Sequence, residues 1–203
     1  MLLVQREVGR MQNFGYLIAD EKSKLAAVVD ASFDARPLQE EAARRGLKIA
    51  YILSTHYHFD HVQDNERLAR ETGAKVVAHK IAPIKKDIAV EDGSKIRLGE
   101  LEIEAIHTPG HSPDSTCYMV KGNVFTGDTL FIGECGRCDF GDSSPEAMFE
   151  SLLRKLVTLP EQTTVLPGHD YGKSKSSTIG DQKRENYTLQ PRTKPEFVKF
   201  VLE

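Results

Sequence analysis

Cysteine is scarce: the chain carries three, Cys117, Cys135 and Cys138. The pair in "CGRC" has the C-x-x-C spacing of a zinc knuckle or a redox disulfide. A structural zinc site asks for a second pair, and Cys117 alone is left to supply it. A thioredoxin-like pair sits between a strand and a helix, whereas "GECGRCDFGD" reads as a glycine-rich loop. Reduced loop cysteines are therefore expected. Long apolar runs are missing too: "LAAVV" and "IAYIL" have strand length, far short of the roughly 20 residues of a bilayer span. "MLLVQREVGR" turns polar after Val4, so no signal peptide is expected and the cytoplasm is the default location. An excess of either charge is also lacking. The formal net charge of −3 gives no electrostatic reason to expect nucleic acid or a membrane as a partner.

What is present is ordinary globular material. Hydrophobic residues at 39% and charged residues at 28% argue against disorder. A length of 203 residues suits one domain with a core of its own, and no low-complexity linker divides it. The expectation is a single domain over 1–203. Strands are read in "LLVQREV", "FGYLIAD", "KLAAVVD", "LKIAYILST" and "AKVVAH". Helices are read from about Ala35 to Arg45, stopped by Gly46, and across "HVQDNERLARETG". The second half has a similar plan: strands "KIRL", "LEIEAIH", "STCYMVKG" and "NVFTG", a helix from Pro145 to Val157, then the strand "TTVLPGHD". The tail adds a helix from Ile179 to Tyr187 and a short one after Pro195.

The chemistry concentrates in "STHYHFDHVQDN", where His56, His58, Asp60 and His61 fall within six positions at the end of a strand. Alternate residues of an extended segment point the same way, so His56 and His58 can share one metal ion. Asp60 and His61 enter the next helix and face a second position. Further ligands are found where later strands end: His111 in "HTPGHSPDS", Asp128 in "FTGDTLF" and His169 in "LPGHDYG". Five histidines and two aspartates suit two divalent cations, zinc foremost, with iron or manganese as alternatives. Asp128 is able to bridge both ions, which an imidazole is not. Water shared by such a pair has its pKa lowered from 15.7 to about 7, giving hydroxide at neutral pH for attack on a polarised carbonyl.

"THYHFDH" resembles the T-H-x-H-x-D-H motif of the metallo-β-lactamase superfamily, and His111, Asp128 and His169 match its later motifs in order. The resemblance spans nearly the whole chain. It implies an α/β fold, a four-layer αβ/βα sandwich with the metals at one edge between two sheets. It also implies one metal on His56, His58 and His111, the other on Asp60, His61 and His169, with Asp128 between. Within the superfamily, "TLFIGECGRCDF" and "PGHDYG" are similar to the glyoxalase II and persulfide dioxygenase branch. Cys138 stands where that branch commonly has threonine. The tail "SSTIGDQKRENYTL" and "EFVKF" is closer to the persulfide dioxygenases. Those enzymes keep the same seven residues yet use a single iron. Glyoxalase II carries a larger helical C-terminal domain that helps bind glutathione, and the stretch after His169 is too short to hold one.

The function expected is a glyoxalase II-like metal-dependent hydrolase that cleaves a thioester, such as a hydroxyacyl-glutathione, by metal-bound hydroxide. The alternative is a mononuclear-iron persulfide dioxygenase acting on glutathione persulfide. Asp60 is assigned a catalytic as well as a metal-binding role. Tyr171 and Arg137 are the substrate-binding candidates, for a small thiol-derived substrate. Arg137 can clamp a carboxylate or brace its own loop through Asp139. His107 precedes His111 by one helical turn, but Pro109 and Gly110 forbid a helix there, so a supporting role is expected. His79 is read as structural or exposed, and Tyr57 and Phe59 as packing residues facing away from the ligands. Lys173 and Lys175 form a small basic cluster near the same loop.

Overall fold

The strand-like segments are apolar on both faces, and each face meets a different layer. In β2 (Phe14–Asp20), Phe14, Tyr16 and Ile18 point one way while Leu17 and Ala19 point the other. The neighbouring β3 (Leu25–Val29) divides likewise, Ala27 and Val29 against Ala26 and Val28. Strands buried on both sides belong inside a layered sandwich. The computed structural model describes all residues 1–203 and has that form.

One sheet holds β1 (Leu2–Glu7), β2, β3, β4 (Lys48–Leu53), β5 (Lys75–His79) and β6 (Ile88–Val90), in that order. Its first three strands are antiparallel and its last four run parallel. The other sheet holds β7 (Lys95–Leu98), β8 (Leu101–His107), β9 (Thr116–Val120), β10 (Asn123–Gly127), β11 (Thr164–Pro167) and β12 (Ser177–Thr178), again adjacent in sequence order. Only its β10–β11 pair is parallel. Tyr16, Ile18 and Leu53 from the first sheet meet Leu98, Ile103, Tyr118 and Phe125 from the second, forming the central core.

Helices close the two outer faces. Leu38 and Ala42 of α1 (Arg36–Arg44) and Leu68 of α3 (Asn65–Thr72) cover the first sheet. Met148 and Phe149 of α4 (Pro145–Glu150), Ile179 of α5 (Ile179–Glu185) and Phe197 of α6 (Lys194–Leu202) cover the second. The result is the expected four-layer αβ/βα sandwich. No helix is long and apolar enough to cross a membrane.

Four elements depart from the sequence reading. The helix expected across 61–73 is two pieces, α2 (Phe59–Val62) and α3, because Asp64 leaves helical geometry. Its carboxylate instead accepts from the Ala35 N–H at 2.8 Å and from Arg67, tying α3 to the start of α1. The helix expected over 145–157 begins as α4, passes through a π-helical turn at Ser151–Lys155 and ends in a 3₁₀ turn at Leu156–Thr158. Within it the Ser151 hydroxyl donates to the Pro109 carbonyl at 2.6 Å, docking the helix on the loop that carries His111. Finally, β6 and β12 were not expected; both are edge strands of three and two residues.

Candidate metal centre

Four strand ends converge at one rim of the sandwich. His56 and His58 follow β4, and Asp60 and His61 sit in the short α2 beyond. His111 lies in the loop after β8, Asp128 directly after β10, and His169 two residues after β11. Gly168 makes the last approach possible. A Cβ there would lie 2.4 Å from Asp128 Oδ1 and 2.9 Å from His61 Cε1.

The seven side chains form three overlapping groups whose donor atoms lie within 4.8 Å of one another: His56, His58 and His111; His56, His61 and Asp128; and Asp60, His61 and His169. Each sequence-derived ligand candidate is therefore in the cluster. His107 is not. Its Nε2 donates to the Pro113 carbonyl at 2.8 Å, and its ring stacks on His79 at 3.9 Å. His79 is buried rather than exposed.

Outside the cluster, each ring but one is oriented by a partner that can only accept. His111 Nδ1 donates to the Arg137 carbonyl at 3.0 Å, and His169 Nδ1 to the Met11 carbonyl at 2.8 Å. His61 Nδ1 donates to Asp30 Oδ2 at 2.9 Å. The Thr55 hydroxyl gives its proton to Asp30 Oδ2 at 2.8 Å and so accepts from His56 Nδ1 at 3.2 Å. Four Nε2 lone pairs are thereby aimed inward. His58 is reversed, with Nδ1 lying 3.0 Å from both His56 Nε2 and His111 Nε2.

With every imidazole neutral, such a cradle lacks internal donors. Asp128 Oδ1 is buried without a hydrogen-bond partner. His61 Nε2 lies 3.1 Å from His169 Nε2, and Asp128 places its two oxygens 3.3 Å from these nitrogens. Ligand atoms on a tetrahedral zinc, with bonds of about 2.0–2.1 Å, stand about 3.4 Å apart. Converging lone pairs and carboxylates at this spacing are stabilised by cations, and the donor set fits two of them.

The electrostatics divide the cluster. Burial holds the His56 imidazole well below its usual range, and burial followed by the neighbouring His111 lowers His58. These rings are neutral ligands in waiting. Burial works in the same direction on His61 and His169, but the carboxylates override it. Asp128 and Asp30 raise His61 well above its usual range, while hydrogen bonds that His169 donates to Asp128 and Asp60 push it up to about 9. Asp128 itself is held far down: His61 and His169 overcome its burial.

Above the cradle opens a cleft of about 400 Å³. Tyr171 forms one wall, stacked on His169 at 4.6 Å, and its hydroxyl donates to the Met11 carbonyl at 3.3 Å. Arg137 forms another, spread over the Phe140 ring. It grips Asp139 through bonds of 2.9 and 2.7 Å, so the loop-bracing contact exists while the guanidinium still lines the cleft. Phe59 corrects the sequence reading. It begins α2, which rotates it out of the extended register, and at 62% exposed it overhangs the cleft mouth rather than packing inside. Tyr57 donates to Asp142 at 2.6 Å. Lys173 pairs with Glu185 and Lys175 lies over Phe14, so the two lysines do not act as one basic patch. All three cysteines are buried and free.

Sequence reasoning missed the supports. Asp30 ends "KLAAVVD" with φ of 51° and accepts three bonds, from His61, the Thr55 hydroxyl and the Thr55 N–H. An aspartate closing a strand beside the strand that leads to the histidines was the available signal. Asn13 donates to Asp60 Oδ2 at 3.0 Å, and no local pattern marks it.

Known proteins with related sequences and structures share this arrangement of chain. The hydroxyacylglutathione hydrolase of Brucella anthropi is 39% identical over 178 residues, 85% of this chain and 67% of that protein. The human mitochondrial persulfide dioxygenase ETHE1 is 31% identical over 195 residues, 93% of this chain and 74% of that protein. The crystal structure of ETHE1 from Myxococcus xanthus superposes with a TM-score of 0.95 at 31% identity, covering all of this chain and 91% of that one. The relatives are thus enzymes of two chemistries. The family model described as the metallo-β-lactamase superfamily matches residues 8–169, and the chain belongs to that superfamily.

Proposed function

We propose that the protein is a thioester hydrolase of the glyoxalase II type, acting on a hydroxyacyl derivative of a small thiol such as glutathione. The observation that carries this reading is the paired cradle. His56, His58 and His111 make one triad, Asp60, His61 and His169 make another, and Asp128 reaches both, lying 3.3 Å from His169 Nε2 and 3.7 Å from His111 Nε2. Such a donor set suits two divalent ions, zinc foremost, and the unit that holds them is the single domain of residues 1–203. When bound, the ions supply Lewis acidity toward the thioester carbonyl and acidify water for addition to it.

The chain's own groups do the rest. Asp60 is ionised, since His169, His61 and Asn13 overcome its burial and hold its carboxyl far below the usual range. It lines the cleft floor, where we assign it the orientation of the attacking water. Tyr171 and Arg137 flank the thiol side. Addition of water to the carbonyl carbon and rupture of the C–S bond give an acid and a free thiol, with no oxidant consumed.

A second reading, a mononuclear-iron persulfide dioxygenase, draws support from the full-length superposition on the Myxococcus protein. One experiment divides the two. Hydrolysis needs no redox chemistry, so zinc-loaded protein is expected to cleave a hydroxyacyl-glutathione thioester without oxygen. Oxygen uptake with glutathione persulfide by the iron form, together with no thioester cleavage by the zinc form, would replace the first reading by the second.

A further inference from the structure

The helical layer over the second sheet carries a groove that the metal centre does not use. It has a volume of about 350 Å³ and shares no lining residue with the metal cleft. Phe149, Leu153 and Val157 line it from the helix that begins as α4, and Leu189 and Pro191 from the segment before α6. Residues four apart drift around an ordinary α-helix, which turns every 3.6 residues. The π-helical turn at Ser151–Lys155 winds more widely, which keeps Phe149 and Leu153 on the same side. Turns of that kind are frequent at functional sites.

The charge around this apolar strip is of one sign. Arg154, Lys183 and Arg192 line the groove and no acidic residue does, although the whole chain has a formal net charge of −3. Lys183 is answered by Glu161 at 3.1 Å, outside the lining. The two arginines have no carboxylate. Arg192 lies over Phe200 at 4.1 Å, and its Nη1 donates to the Tyr187 and Gln190 carbonyls at 2.7 and 3.3 Å. Its Nε and Nη2 are left without partners. Arg154 is exposed, makes no hydrogen bond or ion pair, and rests over the Phe149 ring at 5.6 Å. Lys194 reaches the same ring at 5.6 Å but pairs with Glu150.

One free guanidinium facing water is ordinary surface. Two of them bordering one apolar groove complement an anion that has an apolar body. Size selects the class of occupant. The volume lies near the lower end of the roughly 300–1,000 Å³ usual for small-ligand sites. Eight lining residues fall well short of the roughly 20–30 that a stable protein partner occupies.

We propose that this groove is a binding site for a small amphiphilic carboxylate. Its apolar body lies on Phe149, Leu153 and Val157, and its head group is held by Arg154 and Arg192. A neutral molecule of the same shape gains the apolar contact alone, and a cationic one is repelled. The site does not depend on which reaction runs at the metals.

Octanoate and octanol share a chain and differ in charge, so the pair tests the head-group contact. Amide shifts of zinc-loaded, ¹⁵N-labelled protein report both where each binds and how tightly. Octanoate should move the amides of Leu153 to Val157, Leu189 and Arg192 saturably. It should bind about tenfold more tightly than octanol, the scale of one charge-assisted hydrogen bond. The double variant Arg154→Gln, Arg192→Gln should erase that preference. Arg154→Gln alone changes an exposed side chain, and it should weaken octanoate without weakening octanol even where the double variant melts early. A carboxylate also ligates zinc, so shifts confined to the loops of His111 and His169 would overturn the site. Equal affinities, a preference surviving the double variant, or shifts that never saturate would overturn it as well. The acetylated peptide Asp-Glu-Leu-Leu-Glu-Asp is the rival occupant. Movement of the same amides by the peptide and not by octanoate would replace the small ligand by a protein partner.

Discussion

Asp128 concentrates the problem that the site solves. Its side chain is buried, one oxygen has no hydrogen-bond donor, and three imidazole nitrogens lie within 3.7 Å of the carboxylate. An amide in its place keeps the shape but loses the charge that lets one group serve two cations. Asp128→Asn should therefore bind at least one metal equivalent fewer and lose more activity than the roughly 10–100-fold typical when a ligand's support is removed. Full metal occupancy in a folded Asp128→Asn protein would contradict the bridging assignment. The seven candidate ligands were legible because loop histidines and aspartates beside glycine have little reason to exist without a cation. Asp30 was not, since an aspartate after a strand is ordinary turn chemistry until tertiary structure puts it 2.9 Å from His61. Arg137 contributes to His111 through its carbonyl, and a backbone contribution leaves no trace in residue type.

Strands announced themselves where they were long and apolar, as in β2 and β3, and failed to where they were edges. The three residues of β6 and two of β12 present no period, and pairing with a neighbour defines them. The break between α2 and α3 was hidden for a different reason, because it depends on Asp64 reaching Ala35 across 29 positions of sequence. Contacts between elements also carry a pH effect. The end of β5 meets the end of β8 through the stacked rings of His79 and His107. Burial, then His107, hold His79 down to about 4, and its Nδ1 has no partner. An unfolded histidine titrates near 6.5, so the unfolded chain binds the extra proton first as the medium acidifies. Stability of the metal-free protein should fall from pH 6.5 toward 4, with one group contributing at most about 1.4 kcal/mol per pH unit. His79→Phe preserves a stacked ring without the proton. Denaturant midpoints across that window should fall less steeply for the variant than for the wild type, and parallel slopes would refute the assignment.

At the scale of the molecule, the metal centre is a clasp. His56, His58, Asp60 and His61 follow the first sheet, while His111, Asp128 and His169 follow strands of the second. Ions held between them bind the folded chain alone and stabilise it by mass action, about 4 kcal/mol at a free concentration 1,000 times Kd. Protons compete for the same lone pairs. Without metal, His61 and His169 are raised above the unfolded value, so their protons stabilise the fold fully below about pH 6.5. That contribution fades as pH rises through the folded values, about 9 for His169. The metal-loaded protein has no such protons to lose, because cations occupy their place. The gap in melting temperature between zinc-loaded and metal-free protein should therefore widen from pH 6.5 to 9. Paired calorimetric scans in matched buffers measure it directly. A gap that stays constant or narrows over that range would mean that protons and metal do not share the cradle of Asp60, His61, Asp128 and His169.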